Sequence, residues 1–263
     1  DNGRVKVITG LRRSGKSYLL FTLFKEYLLH SGIAEDQIIG LALDEFDNAK
    51  YRNPFELNTF IKERIVDKSK RYYVFIDEIQ FVSEISNPYV DDPEAKLNFT
   101  DVVLGLIKLP NADIYVTGSN SKMLSSDVLT QFRDRGDEVR VHPLSFAEIY
   151  EHYDLDKRGA WRDYFTYGGM PFVWTMESHE ERSRYLRDLF SHTYIKDVLE
   201  RNKVGNDAEV LEILLNILAS GIGSLTNPSR LSNTFDTERH IKIAPDTIDT
   251  YIGYFKEAYL IQK

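Results

Sequence analysis

Cysteine is absent from the 263-residue sequence, which excludes both a disulfide framework and a metal site built on thiolates. The six histidines never stand at the i, i+4 spacing with which paired histidines bind zinc on a helix. No apolar run is long enough to cross a bilayer, and no signal-peptide pattern opens the sequence. We therefore expect no membrane partner, and these absences are consistent with a reducing cytoplasm.

An excess of positive charge is also absent, since 33 lysines and arginines stand against 41 acids, for a net charge of -8. The chain as a whole therefore does not attract a phosphate backbone, although a local basic face could do so. The hydrophobic fraction of 42% and the charged fraction of 28% are those of an ordinary globular protein. A chain of this length can form two domains with proper cores, and its abrupt ends suggest a fragment of something longer.

A glycine-containing stretch near the start matches the phosphate-binding spacing G-x-x-x-x-G-K-[ST]. Together with the residue after it, the expected nucleotide-binding stretch consists of Gly10, Leu11, Arg12, Arg13, Ser14, Gly15, Lys16, Ser17 and Tyr18. A short β-branched run, 5–9, precedes it, and an apolar helical pattern, 18–29, follows it. A chance match in a glycine-containing turn is the alternative, but strand, loop and helix in this order are the context that the motif requires.

The positions of this stretch each have a chemical reason. Its two glycines allow the backbone to curl, so that successive N–H groups point inward at the positive end of the following helix. Lys16 is expected to bridge the β- and γ-phosphates of ATP, which makes it a catalytic as well as a binding residue. Ser17 is expected to bind Mg²⁺ through its hydroxyl group.

An apolar strand pattern, 72–76, ends in two acids, Asp77 and Glu78. Because ligands of an open α/β sheet bind beyond the carboxyl ends of its strands, we expect Asp77 to emerge beside the loop that carries Lys16. Asp77 would hold Mg²⁺, usually through water, and Glu78 would be the catalytic base that polarises the attacking water. The alternative is that these acids only cap the helix that follows.

Strand and helix patterns alternate through the first half of the sequence. The strands are predicted at 5–9, 38–43, 72–76, 113–117 and 138–142. The helical patterns between them, one of which begins at Pro54, predict a parallel α/β sheet covered by helices on both faces. We interpret the polar and acidic segment 83–98 as a surface insertion.

Two further groups of residues are candidates for catalysis. Asn120, after the fourth strand, could reach the γ-phosphate and orient the water, although Gly-Ser-Asn is also an ordinary polar turn. Arg133 and Arg135 could neutralise the charge that develops in the transition state, in cis or from a neighbouring subunit. The alternative interpretation is that the two arginines lie in an exposed turn and form salt bridges with nearby aspartates.

Helical patterns replace the alternation after about residue 144. The aromatic residues of this part are Trp161, Tyr164, Phe165, Tyr167, Phe172 and Trp174. We interpret them as part of a core rather than as a platform on which bases stack.

The last part, 205–263, resembles a winged-helix domain. Helical patterns begin at Pro228 and Pro245, and a wing would begin at Ile261. A winged helix often binds DNA through its third helix, but here that helix would expose Asp246 and Asp249. A protein-docking or regulatory role is therefore favoured over DNA contact, and both remain open.

These landmarks, in this order, make the sequence similar to the AAA+ P-loop ATPases of bacteria and archaea, in the branch allied to the signal-transducing STAND NTPases. The matching stretches are 10–17, 75–80, 117–121, 132–135, 143–148 and 168–171, so that the resemblance covers nearly all of the chain. The sequence departs from the family at Asp134, which replaces a glycine, and in the length of the segment 83–98. The domain of unknown function that members often carry would lie beyond Lys263.

The resemblance implies an ATPase that requires ATP and Mg²⁺. It implies a P-loop NTPase core at 1–143, an α-helical lid at 144–204 and a winged-helix-like domain at 205–263, with conformational switching of the last two coupled to hydrolysis. AAA+ members form rings whereas STAND relatives rest as monomers, so a homo-oligomer is implied by the first group alone. The alternative function is an ATP-dependent DNA-binding regulator with incidental hydrolysis. A small-molecule kinase is disfavoured because no acceptor pocket is recognisable.

Overall fold

The computed structural model describes residues 3–118, 132, 135–152, 156–202, 204 and 208–262. The chain divides into two compact units, Asp1–Pro143 and Leu144–Lys263. Among the described residues, no helix has the length and the apolar composition needed to span a membrane. The further division of the second unit at 204/205 stays a prediction.

The first unit is built on a parallel sheet. The strands of this unit are β1 (Val5–Thr9), β2 (Ile38–Ala42), β3 (Tyr72–Asp77), β4 (Ile85–Ser86), β5 (Lys96–Leu97), β6 (Ala112–Thr117) and β7 (Gly136–Arg140). The five-stranded sheet has the order β2-β3-β6-β1-β7, and all of its neighbouring strands are parallel. The predicted parallel α/β fold is therefore confirmed.

The register of the sheet brings the carboxyl ends of the central strands to one edge. Ile8, next to the last residue of β1, pairs with Thr117 at the end of β6. Ala42, the last residue of β2, pairs with Asp77 at the end of β3. Since the loop 10–17 follows β1 directly, the polar residues at the ends of β3 and β6 lie on the same edge as this loop.

Helical segments accompany these strands. They are Lys16–Tyr18, Leu19–Phe24 and Lys25–His30, which run on as one helix with a π-helical middle, then the α-helices Pro54–Arg64 and Phe99–Leu106, and the short 3₁₀ turns Glu35–Gln37, Phe46–Arg52 and Ile79–Phe81. The side chain of Asn53 accepts a hydrogen bond from the main-chain N–H of Phe55 and so caps the helix that begins at Pro54.

Two separate cores show that helices cover both faces of the sheet. Val7 and Ile76 pack with Leu57 and Val103, which come from the helices Pro54–Arg64 and Phe99–Leu106. A second cluster joins the adjacent strand residues Ile8 and Phe75 to Leu20 and Leu28 of the helical segment after the loop. Because neighbouring strand residues point to opposite faces, these two clusters lie on opposite sides of the sheet.

One prediction for this unit needs correction, and the segment 83–98 contains a pairing that the sequence did not predict. The fifth strand is Gly136–Arg140 and not 138–142, because this edge strand is partly or fully exposed and has no buried alternation to fix its ends. The segment 83–98 contains an antiparallel pair, in which Ile85 lies opposite Leu97. Its start is held by a hydrogen bond from the Ser83 N–H to the main-chain oxygen of Arg52.

The second unit is helical. Its α-helices are Phe146–Tyr150, Lys157–Tyr167, His179–Asp188, Lys196–Asn202, Ala208–Ser220, Pro228–Thr234 and Pro245–Glu257, with π-helical stretches at Leu189–Ile195 and Phe235–Arg239 and a 3₁₀ turn at Pro171–Thr175. Its core contains Leu211, Leu214, Leu231, Phe235, Ile248 and Phe255, all of them buried. The described residues of this unit contain no strand, and Ile261, the expected start of a wing, packs partly buried against that core. The winged-helix assignment stays a prediction.

A close backbone approach explains why two stretches of the second unit are tied together. The N–H of Leu144 donates a hydrogen bond of 2.7 Å to the oxygen of Gly169. A Cβ atom at Gly169 would lie 2.0 Å from the Leu144 oxygen, so no larger residue fits there. The Tyr164 hydroxyl also donates to that oxygen, over 3.2 Å. The start of the unit is thereby fixed to the end of the helix Lys157–Tyr167.

The prediction that the aromatic residues 161–174 form a core is wrong for half of them. Trp161, Phe165 and Phe172 are exposed, whereas Tyr164, Tyr167 and Trp174 are half-buried. Within the helix Lys157–Tyr167 the buried residue is Ala160, and the positions 161 and 165 lie on another face. Aromatic content alone did not reveal which face of the helix packs.

Candidate functional site

The loop 10–17 has a backbone that glycine alone adopts easily. Gly10 has a φ of 142° and Gly15 a φ of 99°, both in the region that L side chains rarely enter. A Cβ atom at Gly10 would lie 2.1 Å from the main-chain oxygen of Val141. Inside the loop, the Ser14 N–H donates to the oxygen of Leu11 over 3.1 Å, which closes a turn. Gly10 is therefore required by both conformation and space.

The side chain of Lys16 folds back over this loop. Its Nζ atom donates hydrogen bonds of 3.1 Å to the main-chain oxygens of Gly10 and Leu11, and the residue is buried. A buried ammonium group must be compensated by polar partners, and here loop oxygens contribute to that compensation. The sequence therefore folds so that one positive charge lies at the centre of the loop.

Ser17 and Asp77 meet at the edge of the sheet. The hydroxyl of Ser17 lies close enough to the carboxylate of Asp77, which is buried at the end of β3, to lower the pKa of that carboxylate. The Thr117 hydroxyl, at the end of β6, donates a hydrogen bond to Asp77 Oδ1. The acid predicted to join the loop across the sheet thus contacts it directly.

The pKa of Asp77 is raised above its ordinary value of 3.8, chiefly because burial penalises the charged carboxylate. The hydrogen bonds from Ser17 and Thr117 lower the pKa in part, and the negative charges of Glu78 and Asp44 raise it further. A cation placed next to Asp77 would favour its ionised form, because an opposite charge nearby offsets the loss of hydration.

Glu78 follows Asp77 in a left-handed backbone conformation, with a φ of 51°. Its N–H donates a 3.1 Å hydrogen bond to the hydroxyl of Thr117. Its carboxylate accepts a hydrogen bond from the side-chain amide of Gln80, which limits the directions that the carboxylate can take. Backbone conformations of this kind concentrate at functional sites, where surrounding contacts hold them.

Oxygen ligands suited to Mg²⁺ are therefore together at this edge. A hydroxyl from Ser17 and a carboxylate from Asp77 are in contact, and Mg²⁺ prefers oxygen ligands from one or two protein groups, with the remainder supplied by water and phosphate. These two residues fit the ion that the resemblance implies.

Two residues of the site escaped the sequence analysis. In the sequence, Thr117 ends a predicted strand and begins the matching stretch 117–121 without a role of its own, yet its hydroxyl bridges Asp77 and the Glu78 N–H. Asp44 follows β2, and its charge acts on Asp77 because β2 and β3 are neighbours. The acid was visible in the sequence, but the strand order that brings it close was not.

The other predicted site residues stand as follows. Asn120 and Arg133 lie outside the described residues, so their expected positions stay predictions. Arg135 is exposed just before β7, and its main-chain oxygen accepts a 2.8 Å hydrogen bond from the Val5 N–H. The predicted nucleotide-binding residues that are exposed are Arg12, Arg13, Ser17 and Tyr18.

Comparison with protein families gives two matches. Residues 2–150 match a family described as AAA domain. Residues 158–263 match a family described as a domain of unknown function (DUF8612). The first match contains the whole site described above, from the loop 10–17 to Thr117.

Two curated relatives span the chain. An uncharacterized protein of Haemophilus influenzae is 31% identical over 268 residues, which cover 100% of this chain and 62% of the relative. An uncharacterized protein of Methanocaldococcus jannaschii is 27% identical over 277 residues, which cover 98% of this chain and 56% of the relative. The chain thus spans about six-tenths of the length of these relatives.

Several solved structures show a distant similarity to this chain. The Aeropyrum pernix ORC2 protein in its ADP form is 13% identical with a TM-score of 0.45, over 96% of this chain and 79% of that one. The Caenorhabditis elegans PCH-2 protein is 18% identical with a TM-score of 0.38, over 56% of this chain and 36% of that one. The Aeropyrum pernix ORC1 protein, in complex with DNA, is 13% identical with a TM-score of 0.37, over 97% of this chain and 78% of that one.

Proposed function

The chain belongs to the AAA domain family, and from that premise we propose that it binds ATP with Mg²⁺ and hydrolyses it to ADP and phosphate. The observation that carries the proposal is the position of Asp77 beside Ser17, in the loop that encloses Lys16. A magnesium ligand pair and a phosphate-binding charge are then adjacent, as phosphoryl transfer requires.

The loop 10–17 would bind the triphosphate. The Lys16 ammonium group, which contacts the oxygens of Gly10 and Leu11, would exchange these neutral acceptors for charged phosphate oxygens. Arg12 and Arg13, exposed within the loop, and Tyr18, exposed just after it, would contact the rest of the nucleotide. The N–H groups at the start of the helix that begins at Lys16 add a favourable dipole.

Ser17 and Asp77 would hold Mg²⁺, which when bound neutralises charge on the β- and γ-phosphate oxygens. Ser17 lies beside Asp77, and Thr117 donates a hydrogen bond to Asp77, so that the ligands would be positioned before the ion binds. Preorganised ligands lower the entropy that must be lost when the ion and the nucleotide arrive.

Glu78 would orient and polarise the water that attacks the γ-phosphorus, and would accept a proton from it as the bond to the leaving ADP breaks. Gln80 keeps the Glu78 carboxylate in one orientation, and Thr117 holds its main chain. The role of Asn120 would be to place the same water, and Arg133 and Arg135 would neutralise charge on the transferred phosphoryl group.

We also propose that hydrolysis changes the conformation of the second unit, with 144–204 as a lid and 205–263 as a winged-helix-like part. Arginines supplied in trans would require a homo-oligomer. These finer assignments rest on the resemblance of the sequence to AAA+ proteins.

Phosphate release from Mg-ATP tests the proposal. We expect Lys16→Ala to lower the rate by about 100-fold or more, because one charge-stabilising donor is lost, and Glu78→Gln to slow hydrolysis while ATP still binds. Lys25→Ala is the matched control, since Lys25 lies on the same helical segment but pairs with Glu35 on the surface. Equal rates in all four proteins would contradict the proposal.

A further inference from the structure

The helix Lys157–Tyr167 has a solvent face of unusual composition. Its exposed residues are Lys157, Arg158, Trp161, Arg162, Phe165 and Thr166. The face thus combines cations with large aromatic rings and includes no exposed acid, although the whole chain carries a net charge of -8. We refer to it as the Trp161 face.

The aromatic rings of this face are available to a partner. Trp161 is 53% exposed and Phe165 is 82% exposed, and as an i, i+4 pair they are neighbours on the helix surface. One side of the Trp161 ring meets Phe146 edge-to-face, with the ring centroids 5.0 Å apart. A second contact joins the Trp161 ring to Tyr164, with the centroids 6.1 Å apart. The two contacts limit the movement of the indole ring, so little side-chain entropy is lost when a flat group stacks on its exposed part.

The positive charges of the face are also available. The side chain of Arg162 is 77% exposed, and its Nε atom lies 3.6 Å from a carboxylate oxygen of Asp163, whose side chain is 23% exposed. An ion pair at the surface contributes little free energy, so a phosphate group can compete for this guanidinium group. The nearby acids Asp156 and Glu148 are used as helix caps, since Asp156 accepts hydrogen bonds from main-chain N–H groups and Glu148 accepts them from Ser145. At physiological salt, charges more than about 8 Å away are largely screened, so a bound polyanion would respond to the charges of this face and its immediate neighbours rather than to the net charge of the chain.

We propose that the Trp161 face binds single-stranded nucleic acid, with bases stacked on Trp161 and Phe165 and phosphates paired with Arg158 and Arg162. A single strand offers an unstacked base and a phosphate at each nucleotide, which matches cations and rings side by side on one face. Duplex DNA keeps its bases stacked and would use the arginines alone. An acidic peptide would also leave the rings without a flat partner.

The contrast with the helix Pro245–Glu257 supports this location. That helix occupies the place of a DNA-reading helix in the winged-helix interpretation, but it exposes Asp246 and Asp249. Acids in such positions repel a phosphate backbone. Within the second unit, the Trp161 face is therefore the better site for a polyanion.

The test is binding of a fluorescein-labelled oligothymidylate to the full chain, followed by anisotropy and by tryptophan emission. The sequence contains two tryptophans, and the half-buried Trp174 donates its ring N–H to the Gly168 oxygen. We expect oligothymidylate to quench the emission of Trp161. In Trp161→Phe, which keeps a ring for stacking, binding should persist while most of the quenching disappears.

Variants on the exposed face separate the two kinds of contact. Phe165→Ala should weaken binding by about tenfold, as for the loss of one base–aromatic stack. Arg158→Gln with Arg162→Gln should weaken binding and reduce the salt dependence by about 0.7 in slope for each lost phosphate contact. The matched controls Tyr89→Ala, an exposed ring in the first unit, and Arg184→Gln, an exposed arginine of the second unit, should bind as the wild type does.

Circular dichroism establishes that each variant is folded. The proposal is overturned if oligothymidylate neither binds nor quenches, or if the control variants lose as much affinity as the face variants. It is also overturned if duplex DNA, polyglutamate or vesicles with anionic lipid bind while oligothymidylate does not.

Discussion

Ser17 and Asp77 lie beside each other, although one ends the loop 10–17 in the first turn of a helix and the other ends β3. The parallel sheet makes this contact, since the ends of β1, β6 and β3 share one edge. Thr117 completes the arrangement by donating to Asp77. Because the two residues are far apart in sequence, it is the fold that brings them together. Their position supports the proposed magnesium site.

The raised pKa of Asp77 predicts how stability changes with pH. Because burial raises the folded-state pKa above 3.8, the folded protein loses stability as the pH rises through that raised pKa. Asp77→Asn removes this loss but keeps an oxygen that accepts hydrogen bonds from Ser17 and Thr117. Without Mg²⁺ or nucleotide, the variant should therefore melt at a higher temperature than the wild type at neutral pH.

The same difference should shrink as the pH falls, and should level off below 3.8, where the wild-type carboxylate is protonated in the folded and unfolded states alike. Thermal melts of both proteins across this range measure it. A variant that is less stable at neutral pH, or a difference that does not depend on pH, would show that Asp77 is not a destabilised buried carboxylate.

The hydroxyl of Thr117 should matter for both stability and catalysis. Thr117→Val keeps the shape but leaves the Glu78 N–H without this acceptor and Asp77 without one donor, which should cost about 1–3 kcal/mol of unfolding free energy. Phosphate release should fall more than ATP affinity does, because Glu78 loses its anchor. Thr117→Ser retains the hydroxyl and should restore both properties; if it does not, the hydrogen bonds are not the cause.

The backbone of the loop gives a prediction with a built-in control. Gly10→Ala should destabilise the protein by at least about 2 kcal/mol, since its φ of 142° is unfavourable for alanine and the new methyl group would meet the Val141 oxygen. Gly105→Ala, inside the helix Phe99–Leu106 with open space around it, should stabilise by about 0.5–1 kcal/mol. Denaturant unfolding compares the two, and equal effects would contradict the loop geometry.

The arginines before β7 should act on turnover rather than on binding. Replacing Arg133 and Arg135 with alanine should lower kcat by about a thousandfold while the Kd for ATP stays nearly constant, because their charge is used in the transition state. Arg64→Ala, an exposed arginine at the end of the helix Pro54–Arg64, is the control. A loss confined to ATP affinity would assign these residues to nucleotide binding instead.

Local patterns predicted most of the first unit because its strands are buried and its motifs are continuous in sequence. The run before Asp77 is almost wholly buried in β3, as its apolar composition indicates. The predicted bounds of the edge strand β7 lie two residues too late in the sequence, because its mostly exposed side chains follow no apolar pattern. Asp44 was not recognised as a neighbour of Asp77 because strand order depends on long-range pairing that short sequence patterns do not encode.

The second unit was harder to predict for a different reason. Trp161 and Phe165 were assigned to a core from their hydrophobicity, but the helix packs through Ala160 and leaves both rings exposed. A small residue carries little signal in a sequence, although it allows the closest contact. Exposed aromatic residues of this kind are informative about binding because burial does not explain them.

Calorimetric titration of ATP, with and without Mg²⁺, tests the central claim that Ser17 and Asp77 jointly hold the metal of the nucleotide. The wild type should bind ATP more tightly when Mg²⁺ is present, and Ser17→Ala or Asp77→Asn should each remove most of that gain. The double variant should lose little more than either single variant, because both residues serve one ion. An undiminished effect of Mg²⁺ in these variants would contradict the account.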